Sequence, residues 1–311
     1  GFTIEGGANN DEIGIEVSNI ESFYLSDSKI RNMGSTPGNG VGVFITSTNL
    51  VSILNVDFEN NLQRGLGLHS SVNSVNISES RFLNNEVGLS LESITNTVFD
   101  CRFENNAVGI DNFTQNNNVS LDVINSLFIN HYMAYQPRAG VTNIINSTIY
   151  GGNKAWASWD SPNFNINLKN SIIYGVNQPM ELIAPNHLTY SEYSWIQDGY
   201  FGNVEPGPGN LSGDPLFIDA ENGDFRLSPY SPAIGAGTLT GAPATDINGN
   251  PRPNPEGSNP DMGAIESAFA SQRPKAGAIA DGLGNDIQWS NSPNSLSANW
   301  TPFVDNNDNL S

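Results

Sequence analysis

The heptapeptides NVDFENN (residues 55–61), ESRFLNN (79–85) and DCRFENN (100–106) each place a phenylalanine three residues before the second of two adjacent asparagines. Aligned on that phenylalanine, the repeat occupies seven positions at intervals of 21 to 28 residues: Ile30, Phe58, Phe82, Phe103, Phe128, Ile149 and Ile173. Helical repeats need about 33 or more residues and a 3.6-residue apolar period. Neither is present, so the repeat predicts a stack of short β-strands.

Three further columns support this prediction. Two residues before the aligned position, nearly all residues are small: Ser28, Val56, Ser80, Cys101, Ser126, Ser147 and Ser171. Five residues before it, all are apolar: Leu25, Ile53, Ile77, Val98, Val123, Ile144 and Leu168. Side chains alternate along a strand, so these two columns share the inner face only if the chain bends between them. The polar residue three places before the aligned position in every repeat predicts that bend.

A third strand follows each asparagine pair, as GVGV (40–43), GLGL (65–68) and GLSL (88–91). Three short strands per turn, with like residues stacked on like, predict a parallel β-solenoid. The pattern resembles the right-handed parallel β-helix family, the pectate-lyase-like solenoids, over residues 1–186 in about eight rungs. The asparagine pairs resemble that family's asparagine ladder, in which amides hydrogen-bond from rung to rung at a tight turn. The expected fold is therefore all-β, a right-handed parallel β-helix.

The second half loses the period and is rich in Gly and Pro. GDPLFIDAENGDFRLSPYSPAIGAG (213–237) and DINGNPRPNPEGSNPDMGAIE (246–266) resemble a segment that ends many secreted bacterial β-helix proteins, a choice-of-anchor domain. The resemblance implies a secreted or cell-surface bacterial protein that meets secretion or anchoring machinery, and it implies no activity. Because the last rung of a solenoid exposes core and strand edges, we expect residues 187–266 to form an irregular capping segment.

We expect residues 267–277 to be a linker and residues 278–311 to be the incomplete start of a following β-sandwich-like module. The latter alternates around Trp289 and Trp300 and resembles the first strands of a fibronectin-type sandwich. The sequence starts abruptly with a strand-like GFTIEGG and has no signal peptide at Gly1. We therefore expect a fragment or a processed product.

Charge and composition exclude several partners. The chain has 12 Lys and Arg against 32 Asp and Glu, for a net charge of −20. Such a surface repels nucleic-acid phosphates and anionic lipid. No apolar run approaches the ~18 residues that a membrane span needs, so neither nucleic acid nor membrane insertion is expected. The single cysteine, Cys101, excludes an intrachain disulfide.

The Gly-rich strands are the first place to look for catalysis. We expect their glycines to form a smooth outer column: Gly14, Gly40, Gly65, Gly88 and Gly109. Near it, His69, Glu92 and Asp111 are expected to cluster across three rungs, since rungs lie ~4.8 Å apart. A hydrolase needs two carboxylates about 5 to 9.5 Å apart, whereas a lyase also needs a basic group, and only Arg64 is near. The alternative is that these are ordinary solvated residues.

Candidate binding residues lie in GGNKAWASWD (151–160), interpreted as a loop between rungs. Trp156, Trp159 and Asp160, with Tyr135 and Arg138, offer rings that stack on sugars and polar groups that orient hydroxyls. Alternatively, the tryptophans fill a loop packed on the solenoid.

Metal signals are weak. Asp246, Asn248 and Asn250 have the spacing of a Ca²⁺ loop, but no Glu follows at the twelfth position, and turn chemistry explains them equally well. No cofactor is expected, with Ca²⁺ as the one exception that the sequence allows.

An outward apolar patch is predicted on the later rungs, formed by Leu127, Ile129, Tyr150, Ile172 and Tyr174. Monomers rarely leave such a patch exposed. We expect the segment after residue 187 to fold over it, with partner or sugar binding as the alternative.

Together these features predict an extracellular or cell-surface structural and adhesive module that binds a polysaccharide or cell-surface glycan without turning it over. The alternative is a polysaccharide lyase or glycoside hydrolase acting along the Gly-lined face. A further alternative is a cargo or display passenger of a secretion system.

Overall fold

The computed structural model describes residues 1–7, 12–36, 39–114, 118–158, 163–182, 188–198, 204–268, 279–281 and 298–300. These residues form an all-β parallel solenoid of about seven turns. A 3₁₀ turn at Ala220–Asn222 is the one helical element among them.

The strands are, in chain order, β1 (Thr3–Glu5), β2 (Ile13–Val17), β3 (Ile20–Arg31), β4 (Val41–Ile45), β5 (Thr48–Glu59), β6 (Arg64–Leu68), β7 (Ser74–Ser78), β8 (Arg81–Leu83), β9 (Val87–Leu91), β10 (Thr95–Phe99), β11 (Arg102–Glu104), β12 (Val108–Asn112), β13 (Ser120–Ile124), β14 (Leu127–Ile129), β15 (Met133–Gln136), β16 (Ala139–Ile145), β17 (Thr148–Tyr150), β18 (Lys154–Ser158), β19 (Asn163–Lys169), β20 (Ile172–Tyr174), β21 (Gln178–Leu182), β22 (Leu188–Glu192), β23 (Trp195–Ile196), β24 (Val204–Pro206), β25 (Phe217–Asp219), β26 (Asp224–Leu227), β27 (Ile279–Asp281) and β28 (Ala298–Trp300).

Two parallel sheets form the solenoid. The long sheet has 16 strands in two arms. Its first arm runs β7-β10-β13-β16-β19-β22-β24 and its second arm runs β8-β11-β14-β17-β20-β23. Strands β3 and β5 extend through both arms, and β1 pairs with the end of β3. The short sheet has eight strands, in the order β2-β4-β6-β9-β12-β15-β18-β21. Each turn of the chain therefore visits the first arm, the second arm and the short sheet.

The predicted bend separates the two arms of the long sheet. All seven residues at the predicted polar position have left-handed backbone, with φ between 44° and 53°: Asp27, Asn55, Glu79, Asp100, Asn125, Asn146 and Asn170. Asn and Asp tolerate this conformation better than most residues. The polar residue thus makes the corner of each rung, as predicted.

The predicted columns line the interior. Phe58, Phe82, Phe103 and Phe128 are stacked with ring centroids 4.6 to 4.9 Å apart. The serines two residues earlier are buried and accept backbone N–H donors from the preceding rung, as in Val56 N to Ser80 Oγ at 3.1 Å. Burial of these columns in every rung supplies the main stabilisation of a solenoid.

The asparagine pairs form the predicted ladder at the turn into the short sheet. The first residue of each pair is left-handed, with φ of 53° to 55° at Asn60, Asn84 and Asn105. The second residues are buried and linked, because Asn61 Nδ2 donates to Asn85 Oδ1 and Asn85 Nδ2 donates to Asn106 Oδ1, each at 3.0 Å. The backbone N–H of Asn106 donates to His131 Nδ1 at 3.2 Å. We call Asn61, Asn85, Asn106 and His131 the inner ladder.

Rung-like pairing continues beyond residue 186, since β22, β23 and β24 pair in parallel with the preceding rungs. Residues 214–266, here called the covering segment, begin with an antiparallel hairpin of β25 and β26 that turns at Gly223. The described contacts of this segment lie along the side of the solenoid. They include Asn125 Nδ2 to Thr245 O at 2.6 Å and Ala264 N to Thr148 Oγ1 at 3.0 Å.

The covering segment buries the outward apolar patch, as predicted. Leu127 and Ile129 form one buried cluster with Phe225 and Ala264, against which Tyr150 packs. The buried residues of a second cluster are Ile172, Trp195, Leu227, Ala233, Ile234 and Met262. The patch is thus an internal interface and cannot serve as a partner-binding surface.

The last strands, β27 and β28, form an isolated antiparallel pair. Apart from residues 267 and 268 and this pair, the predicted linker 267–277 and the predicted module 278–311 lie outside the described residues. Within the described ranges, no helix has the length and apolar character needed to cross a membrane.

Candidate functional site

The glycine column of the short sheet lies inside the solenoid, so the predicted outer Gly-lined face is wrong. Gly42, Gly65, Gly88 and Gly109 are buried. A Cβ added to Gly65 would lie 2.6 Å from the carbonyl oxygen of Gly88 and 3.0 Å from Phe58 Cβ. The glycines let the short sheet approach the phenylalanine stack closely.

The error has a simple cause. Neighbouring strands of the short sheet pair on both sides of the glycine but not at the glycine itself. For example, Ile13 pairs with Val41 and Ile15 pairs with Val43. Strict alternation therefore assigns the glycines to the wrong side. Gly40, predicted to belong to this column, instead has φ of 103° and lies against Met33 O.

The three predicted catalytic residues lie on three successive rungs near one edge of the short sheet. Leu68 aligns with Leu91 at the ends of β6 and β9, so His69 and Glu92 leave these strands at equivalent positions on neighbouring rungs. Asp111 lies on the outer face of β12, one rung further along and aligned with Ser90. His69 is exposed and its Nδ1 lies 3.3 Å from Ser70 Oγ.

Asp111 is the most unusual carboxyl of this group. Burial raises its pKa, a change that Arg138 and Arg64 oppose and Glu92 reinforces. Arg138 Nε lies 3.8 Å from Asp111 Oδ1, and its guanidinium stacks 3.9 Å from the ring centre of Phe113. Arg138 was predicted to serve the tryptophan loop, but the structure places it here. We call Asp111, Glu92, His69 and Arg138 the acidic edge.

The predicted sugar-stacking rings are interior residues. Tyr135 and Trp156 pair in register on β15 and β18, with 3% and 0% of their surface exposed. The Tyr135 hydroxyl lies 2.6 Å from Thr142 Oγ1. Neither ring can contact a ligand, because both are buried. The predicted loop is wrong, since residues 154–158 form a rung strand. Trp159 and Asp160 lie outside the described residues.

The predicted Ca²⁺ residues form a self-contained turn. Asp246 is fully buried, and its Oδ1 accepts the backbone N–H groups of Asn248 (2.9 Å) and Asn250 (2.8 Å). Its Oδ2 accepts Asn250 Nδ2 (3.1 Å) and Glu266 N (3.0 Å). Both oxygens are engaged by donors, which supports the turn interpretation. In the part of the chain that the structure describes, no group of three His, Cys, Asp or Glu could hold a metal ion.

A site that the sequence analysis missed lies on the outer face of the first arm. Asp122, Asn143 and Asn167 align on β13, β16 and β19. Asn143 Nδ2 donates to Asp122 Oδ1 at 2.7 Å, and Asn167 Nδ2 donates to Asn143 Oδ1 at 2.8 Å. All three side chains are half-buried. We call them the outer ladder.

A shallow groove of about 250 Å³ adjoins the outer ladder at Asn143 and Asn167. Its other walls include Lys169, Tyr190 and Glu192. Lys169 Nζ lies 2.7 Å from Glu192 Oε1, and the Tyr190 hydroxyl donates to Glu192 Oε2 at 3.4 Å. The ion pair neutralises both charges, so the groove presents amides and a phenol.

A signal for the outer ladder was present in the sequence. Six residues before the aligned position, seven repeats carry a hydrophilic or phenolic residue: Tyr24, Ser52, Asn76, Thr97, Asp122, Asn143 and Asn167. This position immediately precedes the apolar inner column, so alternation along the strand places it on the outer face.

Comparison with known proteins agrees with this architecture. The sequence model of a family described as "Right handed beta helix region" matches residues 3–128. No curated protein matches the chain. The family match and the parallel solenoid together support a right-handed β-helix repeat protein, and the fold fits the pectate-lyase-like superfamily.

Proposed function

We propose that this chain is a non-catalytic glycan-binding β-helix module that works outside the cell, secreted or displayed on a bacterial surface. The outer ladder is the binding surface in this proposal. The observation that carries it is the hydrogen-bonded series Asp122–Asn143–Asn167 beside the groove at Tyr190. The choice-of-anchor resemblance of residues 213–266 supports the extracellular location and a structural, adhesive role.

The outer ladder has hydrogen-bonding capacity to spare. A side-chain amide carries two N–H donors and an oxygen with two lone pairs. Asn143 uses one donor on Asp122 and one lone pair on Asn167. What is left can bind hydroxyl groups, which both donate and accept. The amides recur at the rung spacing of ~4.8 Å, so they offer a repeating ligand repeated contacts.

An apolar column runs beside the ladder. Phe99, Ile124 and Ile145 align on neighbouring strands, two residues after the ladder position, and are half-buried. Sugar rings present C–H groups on their faces, which pack on apolar and aromatic surfaces while their hydroxyls bind polar groups. The first arm combines both kinds of contact on rigid strands, which limits the ordering cost of binding.

The test is a screen of soluble neutral and acidic polysaccharides, with and without Ca²⁺, that measures both retained protein and released sugar. We expect retention without product release, and the same retention when Ca²⁺ is removed. The double variant Asn143→Ala/Asn167→Ala should lose retention, whereas Asn259→Ala, an exposed asparagine of the covering segment, should keep it. Retention that survives loss of both amides would reject the outer ladder as the binding surface.

A hydrolase is the second candidate, and the acidic edge is the observation that favours it. A general acid must stay protonated, and burial raises the pKa of Asp111 beside Glu92 of the neighbouring rung. Reducing ends released by wild-type protein and absent with Asp111→Asn would replace the binding proposal with this one. If neither protein releases sugar, the acidic edge is not a catalytic site for the polysaccharides screened.

A further inference from the structure

A second cavity lies in the covering segment, away from the outer ladder. Its volume is about 260 Å³, close to the lower end of the range of about 300–1,000 Å³ that is usual for ligand pockets. Ile218, Leu227 and Ile265 supply apolar lining, and the amide side chains of Asn248, Asn250 and Asn254 line another part of the wall. An apolar wall with several converging polar groups is the usual composition of a small-molecule site.

Two of these amides have no competing partner among the residues that the structure describes. Asn248 and Asn254 use their backbone N–H groups in hydrogen bonds to Asp246 and Glu266, whereas their side-chain amides bond to none of the described residues. Asn250 Nδ2 donates to Asp246 Oδ2 at 3.1 Å, which leaves its amide oxygen available. Each amide can therefore donate to a ligand, accept from it, or do both.

Buried carboxylates hold the backbone beneath these amides. Asp246 Oδ1 accepts the N–H groups of Asn248 (2.9 Å) and Asn250 (2.8 Å). Glu266 Oε1 accepts the N–H of Asn254 at 3.0 Å. Asp246 and Glu266 are themselves buried. A ligand would therefore meet fixed backbone positions, and only the short side chains would need to be ordered.

The charged residues at the cavity are neutralised within the protein. Arg226 donates two hydrogen bonds to Asp224, Nε to Oδ1 at 2.9 Å and Nη2 to Oδ2 at 2.6 Å. Glu266 pairs with the fully buried guanidinium of Arg252 at 3.4 Å. With both charges compensated, the described lining of the cavity offers an ionic ligand no unpaired counter-charge. The lining instead matches a neutral ligand with several hydroxyl groups and an apolar face.

We propose that this cavity binds a single unit of a neutral sugar, with its C–H face on Ile218 and Ile265 and its hydroxyls on Asn248, Asn250 and Asn254. The site does not depend on the outer ladder, because the two share no residue. A module with both sites would hold an extended glycan on the solenoid and an individual sugar unit on the covering segment. Variants of either site should leave the other unaffected.

The experiment is ligand-observed NMR of the full chain with millimolar methyl glycosides of glucose, galactose, mannose and N-acetylglucosamine, and with the methyl glycoside of galacturonic acid, whose carboxylate is free, as the charged probe. We expect at least one neutral glycoside to bind, and the galacturonate to bind no more tightly than methyl galactoside. Asn248→Ala/Asn254→Ala should weaken the affinity by about tenfold or more, since a hydrogen bond contributes about 1 kcal/mol and 1.4 kcal/mol is a factor of ten. Asn259→Ala is the matched control on the same segment, and Asn143→Ala/Asn167→Ala is the control for the outer ladder.

Four results would overturn the proposal. One is that none of the four neutral glycosides binds. Another is that the Asn248→Ala/Asn254→Ala protein, folded with an unchanged melting temperature, binds as wild type does. The third is that the methyl glycoside of galacturonic acid binds more tightly than methyl galactoside, which would contradict a neutral site. The fourth is loss of binding in the outer-ladder variant alone, which would move the sugar to the first arm.

Discussion

Several columns of side-chain amides run from rung to rung in the described part of the solenoid, and the inner ladder and the outer ladder are a buried and an outward-facing example. In the inner ladder, Asn61, Asn85 and Asn106 are buried and linked at 3.0 Å. In the outer ladder, Asp122, Asn143 and Asn167 are half-buried and linked at 2.7 and 2.8 Å. The link between rungs is nearly the same in both columns, so it cannot be what distinguishes their roles.

The difference lies in what else each amide contacts. Asn85 Nδ2 also donates to Phe58 O at 3.0 Å, and Asn85 Oδ1 also accepts Asn61 N at 3.0 Å. The inner amide thereby satisfies backbone groups that have no access to water. Among the described residues, the hydrogen bonds that link the outer amides join side chains to side chains. The same stacking is thus structural where it is buried and available for binding where it is open to solvent.

The largest expected effect is in the inner ladder. Asn85→Ala would remove the acceptor of Asn61 N and Asn61 Nδ2 and a donor to Phe58 O, and each buried group left without a partner costs about 1–3 kcal/mol. We expect a loss of about 3–5 kcal/mol in the free energy of unfolding, measured by urea denaturation followed by circular dichroism. A loss below about 1 kcal/mol would contradict the structural role of the inner ladder.

The second prediction compares two glycines of one strand. Gly65→Ala places a Cβ against the backbone of Gly88, and overpacking of this kind costs about 1–3 kcal/mol. Gly67→Ala places it 3.0 Å from the ring of Phe44, a half-exposed side chain that can shift, so we expect less than about 1 kcal/mol. Equal losses in the two variants would show that the glycine column does not face the interior.

The third prediction concerns pH and the last member of the inner ladder. Burial lowers the pKa of His131 from 6.5 to about 4. The unfolded chain therefore binds the proton more readily than the folded protein does. The contribution of this group to the free energy of unfolding is fully present above about pH 6.5 and falls as the pH drops toward 4. The slope from this group is at most about 1.4 kcal/mol per pH unit.

His131→Asn restores an amide at this position and removes the titrating group. The difference between wild type and variant in urea unfolding at pH 7 and at pH 5 isolates the contribution of His131, since the other groups titrate in both proteins. Wild type should lose more stability than the variant between these two pH values. Parallel losses would mean that His131 is not held neutral by burial.

The smallest stability effect is expected in the outer ladder. Asn143→Ala removes two side-chain hydrogen bonds at a half-exposed site, where water can replace the lost partner, so we expect less than about 1 kcal/mol. Urea denaturation beside Asn85→Ala gives the direct comparison. A loss as large as that of the inner variant would assign the outer ladder a structural role.

The fold could be predicted because solenoid rungs repeat their environment. The aligned positions of the repeat correctly predicted three features: the left-handed corner at Asp27, Asn55 and the equivalent residues, the phenylalanine stack, and the inner amides. The burial of the outward patch of the later rungs also followed, because apolar residues at outward positions need a cover. In each case the environment follows from the repeat alone.

The site was harder to predict, for three reasons. The short sheet does not keep strict alternation at its glycines, so Gly65 was placed on the wrong side. The Gly and polar residues of 151–160 favour a loop, whereas the register between neighbouring rungs places Trp156 in a strand. Its pairing with Tyr135, and that of Tyr135 with Ile110, shows that it continues an inner apolar column. The outer ladder was missed because polar residues on an outer face are ordinary, and only their hydrogen-bonded alignment sets them apart.

The most direct test of this account is the affinity of wild type and of Asn143→Ala/Asn167→Ala for the polysaccharide that retains the wild-type protein most strongly, measured by titration calorimetry. The account predicts that the variant binds at least about tenfold more weakly, because two hydrogen-bonding amides are lost. Its free energy of unfolding should stay close to that of wild type. Equal affinity, or no polysaccharide that retains the wild-type protein, would contradict the proposal that the outer ladder binds glycans.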